Sequence, residues 1–273
     1  MKSTFATLAA IAVYSLLAAP PGVAQEAFSL EPLPKTDKEL SDRFTPTQIG
    51  ILEKLNRRDR ERLIRTEPPV PGLVVPNTWN EDELAYSPLP REWAAVADHE
   101  KYLVVHQPFQ VFGAYEFGRL VRWGPVSSGR KETPTPSGAF NLTWRSRKRT
   151  STDNEAWVLE WYFNFVNSRG ISFHQFDLPG YAASHACVRM LQRDAQWLYG
   201  WGVQWKLSED RRSVDVPGTP VLVLGDFGHG EIPPWTSIPA LAAPLELPSS
   251  VEASHKGLRY TSEDRARPVT RFP

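Results

Sequence analysis

Two periodicities divide the chain. From Thr45 to Ile64 the apolar residues Ile49, Leu52, Leu55 and Leu63 recur at helical spacing, with Thr45-Pro46 as a helix start. Leu73-Val74-Val75-Pro76 then reads as a strand. The segment before them, Glu26 to Asp37, bears proline and has no period, which predicts a linker. Tyr86 to Trp93, with Pro88 and Pro90, reads as a second connector. Beyond it strand patterns rich in β-branched and aromatic residues take over, over Lys101–His106, Gln110–Tyr115, Arg119–Val126, Ala139–Trp144, Trp157–Val166 and Gly170–Gln175. Glu116-Phe117-Gly118 has hairpin length, and Pro179-Gly180 marks a turn before a hairpin-like return through Ser184 to Val188. A helix follows Arg189, with Leu191, Ala195 and Leu198 on one side and Gln192, Arg193 and Gln196 on the other. Val221 to Leu224 reads as a buried closing strand, and the Pro-, Ser- and Ala-rich residues from Gly228 on as disordered chain or a surface strap. The expected fold is a β-rich α+β domain over residues 98–227, preceded by a small helical unit with linkers (25–97) and followed by a tail (228–273).

The first residues change the picture. Met1-Lys2, an apolar run from Phe5 to Ala19, and small residues at Gly22 and Ala24 read as a secretory signal (1–24). The run is short for a bilayer, so no stable membrane span is expected after cleavage, and the protein is expected in the periplasm or cell envelope. Acidic and basic residues balance at 31 each, so total charge does not suggest nucleic acid as a partner. Arg145 to Arg149 reads as a solvated loop rather than a binding patch, and the aromatic density from Trp157 to Phe165 as core more than cleft wall.

A chain with a single cysteine forms no internal disulfide. Cys187 is therefore either an inert filler or a working thiol, and its neighbours decide which. In an extended segment His185 and Cys187 share a face while Ala186 and Val188 take the other, and the return lays His174 beside the cysteine. A thiol is mostly protonated at neutral pH, so catalysis needs a base nearby. His174 is the candidate base, and His185 and Ser184 are pocket residues. Backbone N–H groups around Ala186 and Cys187 are candidate oxyanion donors, and Arg189 is a candidate clamp for a substrate carboxylate, or else part of an internal ion pair. A zinc site built from His174, His185 and Cys187 is a rival arrangement without an evident fourth ligand. His99, His106, His229 and His255 read as incidental.

The succession Val126-Ser127-Ser128-Gly129, Thr133-Pro134-Thr135-Pro136-Ser137-Gly138-Ala139-Phe140, His174, Ser184-His185-Ala186-Cys187-Val188-Arg189 and Asp194-Ala195-Gln196-Trp197-Leu198 resembles the L,D-transpeptidase catalytic (YkuD) family. The resemblance covers about half the chain, from Lys101 to Asp226. It implies a mixed β-sandwich with a short helix after the cysteine, no cofactor and no metal. It also implies a cysteine that takes an acyl group from peptidoglycan stem peptides and passes it to an amine, on a diamino acid or an envelope protein. Ala186 and Gln175 stand where the family usually has glycine, and the interval from His174 to the cysteine is somewhat short. Two other functions share these residues: a hydrolase that gives the same thioester to water, as a carboxypeptidase or endopeptidase, and a wall-binding module with a disabled site. Separately, the helix carrying Leu55-Asn56 followed by the strand at Leu73 resembles the second half of a LysM peptidoglycan-binding module, although a packing appendage would carry the same pattern.

Overall fold

The computed structural model describes residues 28–66, 70–151, 154–237 and 244–251. The segment read as a secretory signal (1–24) and the end of the tail lie outside them. In chain order the elements are β1 (Phe28–Glu31), α1 (Asp37–Arg43), α2 (Pro46–Asn56), β2 (Leu73–Pro76), β3 (Tyr102–His106), β4 (Val111–Glu116), β5 (Arg119–Ser127), β6 (Gly138–Asn141), β7 (Arg145–Thr150), β8 (Val158–Val166), β9 (Ile171–Gln175), β10 (Val188–Met190), α3 (Gln192–Trp201), β11 (Lys206–Leu207), β12 (Val214–Val216) and β13 (Pro220–Leu224).

The N-terminal unit is a β-α-α-β arrangement in which β1 and β2 pair antiparallel. Its first half corrects the linker expected before Asp37. Thr36 caps α1 by accepting the Glu39 N–H, and Thr45 and Gln48 form a capping box at the start of α2. Helix α2 stops at Arg57, which adopts a left-handed conformation, and the chain continues as a short 3-10 turn over Arg60–Arg62 rather than as helix to Ile64. The unit does not stand apart. Ile51 and Leu55 of α2 share one core with Tyr102, Tyr115, Trp123 and Trp235. Arg57, wholly buried, lies against the rings of Trp123 and Trp235, and its Nε–H donates to the Phe109 carbonyl. The supposed connector contributes Tyr86, Leu89 and Trp93 to this same core, because an irregular backbone still buries apolar rings where its polar groups find partners.

The main domain is built on nine strands in the order β6-β13-β3-β4-β5-β10-β9-β8-β7. The β4–β5 turn places Phe117 and Gly118 at positive φ (46° and 76°), as the hairpin length predicted. Between β5 and β10 only two residue pairs match, and there the sheet turns over on itself. Its two halves enclose one core, with Leu103, Val105 and Phe112 from one side and Phe163, Phe165, Phe173, Val188 and Met190 from the other. Helix α3 closes this core with Ala195 and Leu198 and packs against β8 and β9. Asp194, on the same buried side, pairs with Arg122 at 2.7 Å, which the apolar pattern alone did not indicate.

One further expectation is corrected and one open alternative is narrowed. Arg145–Thr150 is the edge strand β7 rather than a loop, with Arg147 and Lys148 exposed and the guanidinium groups of Arg145, Arg147 and Arg149 stacked on Trp161, Trp144, Tyr162, Phe163 and Tyr199. From Gly228 the described residues form a strap: Trp235 is buried, the Leu245 N–H donates to the Pro88 carbonyl, and the Trp93 indole N–H to the Pro248 carbonyl.

Candidate active site

Strand β9 reads Ile-Ser-Phe-His-Gln, and its pleat sends Ile171 and Phe173 into the core while Ser172 and His174 take the opposite face. In β10, Val188 and Met190 enter the same core, so Cys187 and Arg189 also face away from it. The strands are parallel, with Val188 opposite Phe173 and Arg189 opposite His174. This corrects the hairpin-like return: the chain leaves β9, crosses over through residues 176–187 and re-enters beside it in the same direction. The register sets Cys187 level with Ser172, and the Sγ to Oγ distance is 3.5 Å. His174 follows one pleat further along the same face.

His174 is 3 % exposed. Its Nδ1 lies 2.9 Å from the Gln175 carbonyl oxygen. A carbonyl only accepts, so Nδ1 carries the proton and Nε2 keeps its lone pair. Burial, with a smaller contribution from the Arg189 charge, pulls the imidazole pKa down to about 4. At neutral pH the ring is therefore uncharged and ready to take a proton.

The crossover opens with Phe176, whose ring meets the rings of His174 and Trp157, each at 6.0 Å between centroids, and lies under the Arg189 guanidinium at 4.6 Å. Burial lowers the Arg189 pKa, and the charge of Asp177 opposes the shift. The crossover ends on a clamp. Ser184 exchanges backbone hydrogen bonds with Ser128 and Arg130, and the Ser127 hydroxyl donates to the Tyr181 carbonyl. The Thr135 hydroxyl accepts the Gly129 N–H at 2.8 Å and donates to the Ala186 carbonyl at 2.7 Å. The Thr-Pro-Thr-Pro segment thus reaches the residue before the cysteine directly. Ala186 sits at φ 73°, a left-handed conformation that favours glycine. Exposure still alternates as expected, with His185, Cys187 and Arg189 partly exposed and Ala186 and Val188 buried.

Cys187 lies where two clefts meet. The narrow one, about 30 Å³, is lined by His174, Ser184, His185, Arg189, Trp157 and Phe176. The wider one, about 320 Å³, is bordered by Thr133, Pro134, Arg149, Arg169, Gly170 and Ala186. All the residues singled out from sequence therefore surround the sulfur. His99, His106 and His229 line neither cleft, and His255 lies outside the described residues. Among the described residues no group of three His, Cys, Asp or Glu side chains is arranged to hold a metal. Sequence reasoning missed Ser172, Phe176 and Trp157. The apolar-polar alternation of Ile-Ser-Phe-His would have found Ser172, because a residue two before His174 shares its face.

The family model of the L,D-transpeptidase catalytic domain (YkuD) matches residues 100–223. Comparison with curated proteins gave no match. Among solved structures the chain is similar to an L,D-transpeptidase from Stackebrandtia nassauensis (22% identity, 47% of this chain and 57% of that one, TM-score 0.39). It is also similar to an L,D-transpeptidase from Mycobacterium smegmatis (17% identity, 46% and 59%, TM-score 0.37). A third similar structure is an L,D-transpeptidase from Mycobacterium tuberculosis H37Rv (24% identity, 46% and 58%, TM-score 0.36). The chain spans less than three fifths of the length of these structures.

Proposed function

We propose, from the match of residues 100–223 to the L,D-transpeptidase catalytic (YkuD) domain, that the protein is an exported acyltransferase that joins peptidoglycan stem peptides to an amine through a thioester at Cys187. The observation that carries the reading is the neutral His174, with Nδ1–H donated to Gln175 and Nε2 free to accept, on the same sheet face as the sulfur. Nε2 takes the thiol proton as the sulfur attacks the peptide carbonyl. Backbone N–H groups around Ala186 and Cys187 receive the oxyanion, a contribution of about 3 kcal/mol per donor in such sites. The imidazolium then returns its proton to the leaving amine, and an acceptor amine or water resolves the thioester.

Arg189, stacked on Phe176 at the narrow cleft beside the sulfur, serves as the clamp for a substrate carboxylate. The meeting of two clefts at the sulfur supports transfer over hydrolysis, since an acceptor has a way in besides the donor's. The hydroxyl-held turn at Ala186 supports a working site over a disabled wall-binding module. The β-α-α-β unit of residues 28–76 adds a candidate glycan contact, in keeping with its LysM-like pattern.

The test is to incubate the mature protein with a stem tetrapeptide, with and without a diamino acceptor, and follow Cys187 by intact mass and the products by chromatography. An adduct with cross-linked product is expected. An adduct yielding only truncated peptide would assign the hydrolase, and binding without an adduct the module. Cys187→Ala should remove every product.

A further inference from the structure

A buried polar chain runs beneath the cysteine. The Thr143 hydroxyl donates to the Asn164 side-chain oxygen (2.7 Å), the Asn164 amide to the Tyr162 hydroxyl (3.1 Å), and the Tyr162 hydroxyl to the Gly170 carbonyl (2.8 Å). That carbonyl lies 3.9 Å from Sγ, and the Ser172 hydroxyl 3.5 Å from it. Tyr162, Asn164 and Ser172 are all buried, Ser172 completely. Burial raises the Tyr162 pKa against the lowering effect of its hydrogen bonds with Asn164 and Ser172, so the phenol stays protonated and keeps the Gly170 carbonyl occupied. The carbonyl is then a poorer holder of the thiol proton.

His174 is neutral in the resting site, so it offers the sulfur a place for its proton but no standing positive charge. A thiolate forming there needs donors. We propose that Ser172 is a further catalytic residue, its hydroxyl turning to donate to Sγ as the S–H bond breaks and the proton passes to Nε2 of His174. A serine hydroxyl both donates and accepts, so rotation about one bond converts an acceptor for the thiol into a donor for the thiolate. Hydrogen bonds to a charged group are about twice as strong as neutral ones, which makes the contact stronger in the ionised state. The role in acylation rests on the thioester reading, whereas the effect on the thiol does not.

Two measurements on the full mature chain keep these apart. The first is the rate of Cys187 alkylation by iodoacetamide against pH, in wild type, Ser172→Ala and Ser172→Thr. The charged and titratable groups facing the sulfur, His174, Tyr162, His185, Arg189, Arg149 and Arg169, with Glu132 at the rim, are the same in all three. Ser172→Ala should move the midpoint upward and slow alkylation at neutral pH about tenfold, with Ser172→Thr restoring it and the melting temperatures staying close. The second is adduct formation with the stem tetrapeptide, which should slow in parallel. If Ser172→Ala alkylates as fast as wild type or faster, the hydroxyl is no donor to the thiolate and the proposal falls. A wild type that alkylates with the expected profile but forms no peptide adduct would sink the transferase reading and leave Ser172 as a thiolate donor.

Discussion

The cysteine is held from two sides that are built differently. On one side is the sheet, where parallel pairing of β9 and β10 sets Cys187 level with Ser172 through main-chain register. On the other is the crossover 176–187, which has almost no regular pairing and is fixed by side chains from distant segments. Thr135 and Ser127 grip its end, and Asp59 grips its beginning, with Oδ2 accepting the Leu178 N–H at 2.8 Å and its own N–H donating to the Leu178 carbonyl at 3.1 Å. Arg62 adds an ion pair to Asp177 at 3.3 Å. Register rests on main-chain hydrogen bonds, which side-chain substitutions leave in place. The crossover depends on a few hydroxyls and carboxylates, so single changes there should be felt both in stability and at the sulfur.

The largest effect is expected at Thr135. Thr135→Val keeps the shape but orphans the buried Gly129 N–H and the Ala186 carbonyl. At about 1–3 kcal/mol for each unsatisfied group, the loss should be about 3 kcal/mol in urea unfolding, with slower adduct formation. A loss below about 1 kcal/mol would mean the strands alone hold the cysteine turn.

The sheet side is tested through His174. Its folded pKa of about 4 lies below the ordinary value of 6.5, so the unfolded chain binds the proton first. Stability is then full above pH about 6.5 and falls as pH drops towards about 4, by about 3 kcal/mol for this one residue. His106, also lowered to about 4 by burial, adds in the same direction. Comparing wild type with His174→Gln at both ends of that window isolates the His174 share, which vanishes in the variant. Identical pH dependence in both proteins would show that the ring is not buried neutral.

Asp59→Ala comes next, because it removes the carboxylate that joins Leu178 to the N-terminal unit and also caps the turn at Arg62. About 2 kcal/mol is expected, since these groups are only partly buried. Asp37→Ala breaks the exposed pair with Arg60 in the same unit and is the control. Adduct formation should slow in Asp59→Ala and not in Asp37→Ala. Equal behaviour would make the N-terminal unit a bystander to the site.

The same contrast explains what the sequence made legible. Strand and helix positions followed from period, and the resemblance placed the cysteine, because Ser-His-Ala-Cys-Val-Arg is local. From sequence the crossover reads as a hairpin, because Pro179-Gly180 marks a turn but carries no information on which strand the chain returns to. Asp59 was invisible for a related reason: its partner is more than a hundred residues away, and nothing in Arg-Asp-Arg-Glu-Arg points to Leu178. Ser172, by contrast, is readable from strand alternation, two residues before His174 on the same face. The first half of the N-terminal unit was missed because β1 is four residues long and leaves too little pattern to show a period.

The smallest effect lies at the junction of the two sides. Ala186 holds φ 73°, where a Cβ crowds the following carbonyl at a cost of about 1 kcal/mol. Replacing it by glycine relieves that crowding, and the gain is partly offset by the greater freedom of an unfolded glycine. Ala186→Gly should therefore stabilise the protein by about 0.5–1 kcal/mol, read as a small rise in urea midpoint. The Thr135 hydroxyl still bonds the carbonyl of residue 186, so the turn keeps its course and adduct formation should change less than about threefold. A lower midpoint would mean the alanine methyl contributes more by packing into its buried position than it costs in backbone conformation, and the crossover would then be held by apolar contact as well as by polar clamps.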